Sequence, residues 1–373
     1  MTTTINTIGI LGGGQLGMML AQSALNLGLQ CVFLEDADNP PASFYGKVFK
    51  SSQLDEFINA ADVFTLEFEN TPVDTAQSLG EITNKAGIYP PAIALRTTQD
   101  RLHEKALFNQ LDIDTVPFLA VNDFDELQHA CQHLGLPLVL KTSRGGYDGK
   151  GQFVIKNQAD IHTAWDELGQ ACQTAPLIAE GFIQFSREVS IIAVRGKDGQ
   201  IGYYPLVENT HHHGILAKTV APAPDANHLT EQAQNNIKKL LEHFDYVGVM
   251  ALELFVTETG VLANEIAPRV HNSGHWTIEG AVCSQFENHI RAVAGLPLGD
   301  TRIVKPSVML NVIGTYPVIK DILAVDGVHY HSYHKEERDG RKIAHITVMP
   351  ADSNTLDETV EKVVKLLPNK LGM

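Results

Sequence analysis

The sequence predicts an α/β protein that begins with a doubly wound parallel sheet, continues with mixed α+β units and ends in a small β-rich segment. Three observations predict this class. Short apolar strands alternate with helical patterns over about the first hundred residues. A short strand then runs into a glycine-rich loop, and from Arg187 onward the apolar positions alternate as they do in antiparallel hairpins. At 373 residues the chain is too long for one ordinary core, so several domains are expected.

The first unit, predicted for residues 1–98, contains the pattern G-x-G-x-x-G between a strand and a helix. The strand spans Thr7 to Leu11, the loop spans Gly12 to Gly17, and the helix is predicted from Met18 to Leu27. Glu35 follows the second strand at about the distance at which dinucleotide-binding proteins hold a ribose hydroxyl. Such a turn presents backbone N–H groups to any phosphate. Because no hydride-transfer site follows, we interpret the loop as a site for a substrate phosphate; the alternative is that its glycines serve only helix–strand packing.

The second unit, predicted for residues 99–184, carries a glycine-rich loop after a strand that ends in Lys141. A helix is predicted to begin near Gln99, and its other elements are strands at 116–118, 138–141, 152–155 and 177–180 and a helix at 124–134. The loop at 145–151 has four glycines, whose N–H groups can approach an anion closely, and Lys141 and Lys150 add point charges. This combination indicates a flap over a nucleotide triphosphate, although the loop alone is also compatible with a solvated surface segment.

The third unit, predicted for residues 185–296, is mainly antiparallel. Hairpin strands are predicted at 188–194 with 201–205 and at 249–256 with 261–266, separated by a helix at 229–244. The last unit, predicted for residues 297–373, holds strands at 307–313 and 344–349 and a helix at 357–367.

Two glutamates interrupt the apolar strands of the second hairpin. Glu253 and Glu265 lie on neighbouring strands, and Asn264 adjoins the latter. An isolated buried carboxylate is unfavourable without a cation or donor, so either residue alone is best explained as an acid in a salt bridge. Two facing carboxylates form a hard, oxygen-only site suited to Mg²⁺ that nucleotide phosphates and water complete. We therefore predict a magnesium site between these strands.

A loop dense in polar side chains follows directly at 268–276. It carries a guanidinium, two imidazoles, an amide and a hydroxyl, which together suit an anionic substrate and a developing phosphoanhydride. The run at 211–213 consists of three histidines, but adjacent residues on an extended segment point to opposite faces and cannot share one ion. We retain only His211 as a site candidate.

Composition limits the partners. The formal net charge of −16 argues against a nucleic-acid binder, which needs a basic face. The four scattered cysteines lack metal-ligand spacing and indicate reduced thiols, and neither a signal peptide nor a membrane-spanning stretch is predicted. We expect a cytoplasmic enzyme that acts on small molecules.

In this order the motifs resemble the ATP-grasp superfamily and, within it, the 5-(carboxyamino)imidazole ribonucleotide synthases of purine biosynthesis. The resemblance covers nearly the whole chain. Its most specific matches are GGGQLG at 12–17, GGYDGKG at 145–151, GVMALE at 248–253 and NEIAPRVHNSGHWT at 264–277. The chain departs from the pattern at Lys150, where relatives often have arginine, and in the hinge at 180–183, whose glycine comes early.

The resemblance implies a ligand for each motif. Its ATP-binding residues would be Arg101, Lys141, Gly145, Gly146, Tyr147, Asp148, Gly149, Lys150, Gly151, Glu180, Gly181, Phe182, Ile183, Glu188, His211, Asn264 and Glu265. Its ribonucleotide-binding residues would be Gly14, Gln15, Leu16, Glu69, Tyr147, Arg269, His271, Asn272, Ser273, Lys335, Arg341 and Lys342. Glu253 and Glu265 would carry Mg²⁺. The catalytic residues would be Arg269, Asp148 and His271, of which the last two are candidate proton acceptors.

The implied reaction is the ATP-dependent carboxylation of 5-aminoimidazole ribonucleotide by bicarbonate, through carboxyphosphate, in a homodimer. Another ATP-grasp ligase, such as a formate-dependent ribonucleotide formyltransferase or a biotin carboxylase, is the nearest alternative and would differ in the loop at 269–276. An NAD-linked oxidoreductase rests on Gly12, Gly14, Gly17 and Glu35 alone. The paired Glu253 and Glu265 argue against a non-catalytic nucleotide sensor.

Overall fold

The N-terminal residues form the parallel sheet that the sequence predicts. The structure is a computed structural model, and it describes residues 5–82, 84–145 and 151–369. The sheet has the order β3-β2-β1-β4, with every pair parallel. Its elements are β1 (Thr7–Leu11), α1 (Gln15–Asn26), β2 (Gln30–Leu34), β3 (Lys47–Phe49), α2 (Leu54–Ala60), β4 (Val63–Leu66), α3 (Val73–Gly80) and α4 (Ala92–Thr98).

The predicted start of the first helix is wrong by three residues. Helix α1 begins at Gln15, not at Met18, because Gly14 is extended and occupies the N-cap position. A carboxylate from the end of β4, that of Glu67, accepts the Gly14 N–H group in place of a side-chain cap.

A second, four-stranded sheet follows, in the order β5-β8-β6-β7 and antiparallel throughout. Its unit consists of α5 (Arg101–Gln110), β5 (Phe118–Val121), α6 (Phe124–Leu134), β6 (Leu138–Thr142), β7 (Gln152–Ile155), α7 (Asp160–Leu168) and β8 (Leu177–Gly181). The strand predicted at 116–118 is misplaced, since β5 begins at Phe118. Pro117 before it has no N–H group for a ladder, although its carbonyl accepts the Gly181 amide at 2.8 Å.

The remaining strands of the described chain join one nine-stranded sheet. Its order is β14-β13-β9-β11-β12-β15-β17-β16, with β10 paired to β9. The elements are β9 (Arg187–Arg195), β10 (Ile201–Tyr203), β11 (Val207–His212), β12 (Ile215–Ala221), α8 (Thr230–His243), β13 (Gly248–Thr257), β14 (Gly260–Ala267), α9 (Thr277–Gly280), α10 (Gln285–Ala294), β15 (Ser307–Ile313), α11 (Ile319–Leu323), β16 (Val328–Ser332), β17 (Lys342–Val348) and α12 (Leu356–Leu366). Both predicted hairpins are present, but β11, β12 and β16 were not predicted. The last strands extend the central sheet through the β12–β15 pairing.

The second unit is fastened to the large sheet beside β14. Thr115 bridges Ala263 in parallel register, and the Ala263 amide donates to the carbonyl oxygen of Asp114 at 2.7 Å. Helix α5, capped by the Asp100 side chain, therefore lies along the strand that carries Glu265. The domain limits at 98, 184 and 296 stay predictions. No described helix has the length and apolarity needed to cross a membrane.

Candidate active site

A cavity of about 540 Å³ lies where the second unit meets the large sheet. Most of the polar residues predicted from the sequence line it. These are Glu69, Arg101, Lys141, Glu180, Glu188, His211, Glu253, Asn264, Glu265, Arg269, His271, Asn272 and Lys342. Residues separated by more than 270 positions in the chain thus meet around one space.

Glu253 and Glu265 face each other, as predicted, because they are register partners on β13 and β14, where an irregularity between Glu253 and Leu254 brings Glu265 rather than Asn264 opposite Glu253. The pKa values of the two carboxyl groups are shifted in opposite directions. Burial alone would raise the pKa of Glu253, but the hydrogen bond and charge of His271, with His211 and Lys342, lower it to about 2. Glu265 is accessible inside the cleft yet surrounded by protein, and this loss of solvation, together with the Glu253 charge, raises its pKa. Two facing carboxylates that repel each other are suited to a divalent cation, which would offset that repulsion.

His271 connects this pair to the polar loop. Its Nε2 lies 3.2 Å from Glu253 Oε1, and its Nδ1 lies 2.8 Å from the hydroxyl of Ser273. That hydroxyl in turn accepts a 2.7 Å hydrogen bond from Ser190 on β9. Ser273 therefore orients the imidazole from a buried position and does not line the cavity.

Arg269 and Glu69 form a close ion pair between the polar loop and the segment after β4. Burial would raise the pKa of Glu69, but the Arg269 guanidinium outweighs it and lowers that pKa. His211 Nδ1 lies 2.8 Å from Glu188 Oε2. Burial disfavours the charged imidazole, yet Glu188 and Glu253 outweigh it and raise the pKa of His211.

The side chain of Glu180 has a role that the sequence did not predict. The prediction was a hinge that acts through backbone groups, whereas the carboxylate lies 2.5 Å from Lys141 Nζ and 3.8 Å from Lys105 Nζ. Burial would raise the pKa of Glu180, but both lysines lower it. The carboxylate therefore holds two ammonium groups beside the cavity.

Glu104 and Lys105, both 1 % exposed, are cavity residues that the sequence analysis missed. Glu104 Oε1 accepts the Ile266 amide at 2.7 Å, and burial beside Glu265 raises the pKa of Glu104 to about 8. Lys105 donates to the carbonyl oxygens of Ala263 and Asn264. A helical Glu-Lys pair resembles a solvated surface pair, so only the docking of α5 against β14 reveals these contacts.

The predicted anion turn lies outside this cavity lining, and carboxyl groups of the protein already occupy three of its amides. Glu67 accepts the Gly14 amide at 2.5 Å and the Gly17 amide at 2.8 Å, and Glu35 accepts the Gly13 amide at 3.1 Å. Burial raises the pKa of Glu67 against the lowering effect of these amides and of Lys335.

The C-terminal segment reaches the same turn. Lys335 Nζ lies 2.5 Å from the side-chain oxygen of Gln15, across 320 residues of sequence. Burial and the neighbouring Arg341 lower the pKa of Lys335 to about 8. Arg341 contacts the carbonyl oxygen of Glu336 at 3.4 Å, and Lys342 lines the cavity.

The flap is described only at its ends. Arg101 donates to the carbonyl oxygens of Thr142 and Gly145, and the Gly151 carbonyl accepts the Thr142 amide. The predicted residues Gly146, Tyr147, Asp148, Gly149 and Lys150 lie outside the described residues. In the hinge, Gly181 ends β8, Phe182 is 51 % exposed and Ile183 is half-buried.

Comparisons with known proteins agree along the chain. Residues 5–99 match the ribonucleotide synthetase preATP-grasp domain, residues 106–286 the ATP-grasp domain, and residues 307–359 the phosphoribosylaminoimidazole carboxylase C-terminal domain. The N5-carboxyaminoimidazole ribonucleotide synthase of Pseudomonas aeruginosa is 45% identical over 96% of this chain and 99% of its own length. The crystal structure of N5-carboxyaminoimidazole ribonucleotide synthetase from Thermus thermophilus has a TM-score of 0.91 at 43% identity, covering 97% of this chain and 99% of that one. The Aspergillus clavatus enzyme, solved with ADP and 5-aminoimidazole ribonucleotide, has a TM-score of 0.88 at 31% identity, covering 97% and 98%.

Proposed function

The chain belongs to the N5-carboxyaminoimidazole ribonucleotide synthase family of ATP-grasp ligases, and we propose that the cavity described above is where it carboxylates 5-aminoimidazole ribonucleotide with ATP. The observation that carries the assignment to this cavity is the convergence of the Glu253–Glu265 pair, the Lys141–Glu180 pair and the Arg269–Glu69 pair on one space. The family carries out this reaction in purine biosynthesis.

ATP binds at the end of the cavity formed by the second unit. Lys141 and Arg101 supply positive charge for its phosphates, and the flap at 145–151 covers them. The hinge at 180–183 reads adenine through backbone groups, and Glu188 holds the ribose hydroxyls. The position of Lys141, fixed by the buried Glu180 carboxylate, supports this orientation.

Glu253 and Glu265 hold Mg²⁺, with Asn264 beside them. When bound, the ion neutralises charge on the transferring phosphoryl group. The charge of Glu253 raises the pKa of Glu265, and a cation between the two carboxylates would offset that repulsion, which supports this assignment. Bicarbonate attacks the γ-phosphorus, the bond to the β-phosphate oxygen breaks, and carboxyphosphate and ADP result.

The ribonucleotide lies between the first unit and the polar loop, near Glu69, Arg269, His271 and Asn272. Its exocyclic amine attacks the carboxyl carbon, either of carboxyphosphate itself or of CO₂ that carboxyphosphate releases in the site; phosphate leaves, and a proton leaves the nitrogen. Asp148 or His271 accepts that proton. Arg269, held by Glu69, stabilises the anionic groups, and closure of the flap excludes water that would hydrolyse carboxyphosphate.

The test is ADP release with Mg-ATP and bicarbonate, with and without 5-aminoimidazole ribonucleotide. We expect the ribonucleotide to stimulate ADP release and to yield an acid-labile carboxylated product. ADP release that ignores the ribonucleotide but responds to formate or another amine would overturn the acceptor. The loss of turnover in EDTA, and its return with Mg²⁺, tests the metal. We also infer a homodimer from the family, which sedimentation would test.

A further inference from the structure

The G-x-G-x-x-G turn is filled by a carboxylate of the protein itself. Glu67 follows β4, and its two carboxylate oxygens accept the amides of Gly14 and Gly17 at the N-terminus of α1. The residue is 8 % exposed. In dinucleotide-binding proteins this is the region in which backbone amides and the helix N-terminus receive a pyrophosphate.

The glycines of the motif lie close against this carboxyl group. A Cβ atom on Gly12 would lie 2.6 Å from Glu67 Cγ, and one on Gly14 would lie 2.6 Å from Glu67 Oε1. A Cβ atom on Gly17 would lie 3.6 Å from Glu67 Cδ. The first two glycines of the motif therefore give room to the Glu67 side chain and tolerate no side chain of their own while Glu67 is in place, whereas a Cβ atom on Gly17 would meet the Gly12 carbonyl oxygen first, at 3.2 Å.

Glu67 divides the amides at the start of α1 into two pairs. It takes those of Gly14 and Gly17, whereas the N–H groups of Gln15 and Leu16 have no acceptor among the described residues. Lys335 stands beside this second pair, in contact with the Gln15 side chain, and it attracts Glu67 electrostatically. Two amides and one ammonium group suit a single phosphate monoester, and the Gly14 and Gly17 amides that a second phosphate would need already donate to Glu67.

We propose that Glu67 is a positioning and specificity-determining residue: its carboxyl group closes the turn to dinucleotides and fixes the Gln15 and Leu16 amides for one substrate phosphate. This inference rests on the proposed function in one respect, the binding of the ribonucleotide phosphate at this turn. It explains why a motif typical of NAD-binding proteins occurs in a ligase.

Glu67→Ala tests the proposal, because it removes the two carbons and two oxygens that acetate can restore. We expect the KM for the ribonucleotide to rise about tenfold, because the loss of hydrogen bonds to a charged group typically has an effect of about this size. The KM for ATP should change less than about twofold. Acetate should lower the raised KM, which a packing defect would not show. Inorganic pyrophosphate, measured by calorimetry, should bind the variant more tightly than the wild type.

The matched control is Asp62→Ala, which removes a carboxylate that clamps the Asn6 and Thr7 amides at the other end of β1. It should leave the ribonucleotide KM unchanged and show no response to acetate. If Glu67→Ala does not fold, Glu67→Gln, which keeps one acceptor oxygen, should show a smaller rise in the same KM. A folded Glu67 variant with wild-type KM values and no gain in pyrophosphate binding would overturn the proposal. The calorimetry needs no turnover, so a wild type inactive on the ribonucleotide would refute the proposed function separately.

Discussion

Lys105 donates a 2.9 Å hydrogen bond to the carbonyl oxygen of Asn264, across 159 residues of sequence. The same ammonium group lies 3.3 Å from the Ala263 carbonyl oxygen and 3.1 Å from the Thr115 hydroxyl. Burial lowers the pKa of Lys105, while the charges of Glu180 and Glu104 oppose that shift. Lys105 therefore links helix α5 to the strand that carries Glu265, and its proposed role is to position that strand rather than to bind a substrate.

Lys105→Met should weaken activation by Mg²⁺. The substitution keeps the apolar stem but releases the backbone beside Glu265, and loss of such a support lowers metal affinity about 10- to 100-fold. The measurement is ADP release against Mg²⁺ concentration, in which excess Mg²⁺ should restore part of the rate. Lys239→Met is the control, because Lys239 donates to the carbonyl oxygens of Leu111 and Asp112 away from the cavity. An unchanged Mg²⁺ dependence in folded Lys105→Met would contradict this role.

The double substitution of Glu253 and Glu265 by Gln should abolish ADP formation. Removing both carboxylates removes the oxygen ligands proposed for Mg²⁺, and the loss of several kcal/mol of charge stabilisation corresponds to a rate decrease of about 10³-fold. Glu258→Gln in the exposed turn of the same hairpin controls for the loss of one acidic residue and should keep full activity. Normal turnover in the double variant would refute the metal assignment.

That the two acids lie on neighbouring strands could be predicted from the short turn of the hairpin. Their exact pairing could not, because an uninterrupted register would place Asn264 opposite Glu253, and a register irregularity between Glu253 and Leu254 brings Glu265 there instead.

Strand β15 was predicted with its observed limits because its residues are apolar apart from Ser307 and Asn311 and because Pro306 and Gly314 flank it. By contrast, β11 and β12 show no clean alternation of apolar and polar residues, so these segments offer no period to detect.

Contacts between distant segments could not be predicted. The burial of Lys105 depends on the docking of α5 against β14, and no local pattern separates it from a solvated lysine. Glu67 ends a strand, as many functional acids do, and only the position of α1 shows that it caps that helix from within. The roles of the site residues toward ATP and the ribonucleotide stay predictions.

Acidification should destabilise the fold through His289. Burial lowers the pKa of His289 to about 4. The ring accepts the Val249 amide at Nδ1 and bonds to the Thr65 hydroxyl at Nε2. The pKa of His289 in the folded protein lies below the unfolded value of about 6.5. The stabilisation by the neutral, buried ring is therefore complete above about pH 6.5 and is lost as the pH falls toward 4. The decrease in unfolding free energy at pH 5 should be about 2 kcal/mol.

Urea unfolding of the wild type and of His289→Gln at pH 7 and pH 5 measures this contribution. The variant should be less stable at pH 7 and should show a shallower dependence on pH. His228→Gln, at an exposed position, should follow the wild type. Equal pH dependences in wild type and His289→Gln would show that another group governs acid unfolding.

Lys335 should make ribonucleotide binding sensitive to alkaline pH. Burial and the nearby Arg341 lower its pKa to about 8, so the free enzyme loses this positive charge as the pH rises above 8. In the unfolded chain the lysine stays charged to about pH 10.4. Burial of the charged lysine therefore lowers the stability of the fold below about pH 8, and this destabilisation is relieved as the pH rises from about 8 to about 10.4. A phosphate monoester has a second pKa of about 6, so the phosphate of the ribonucleotide stays dianionic over this alkaline range.

We therefore expect kcat/KM for the ribonucleotide to fall above about pH 8, whereas kcat at saturation should hold to higher pH, because the bound dianion favours the charged ammonium. Lys335→Met should lower kcat/KM at pH 7 and remove the inflection, while Lys320→Met, at an exposed position, should keep it. Glu104 also has a pKa of about 8, and an inflection that survives in Lys335→Met would assign the titration to that carboxyl instead. Loss of the inflection in Lys335→Met alone would place the phosphate beside Lys335, at the amide pair that Glu67 leaves open.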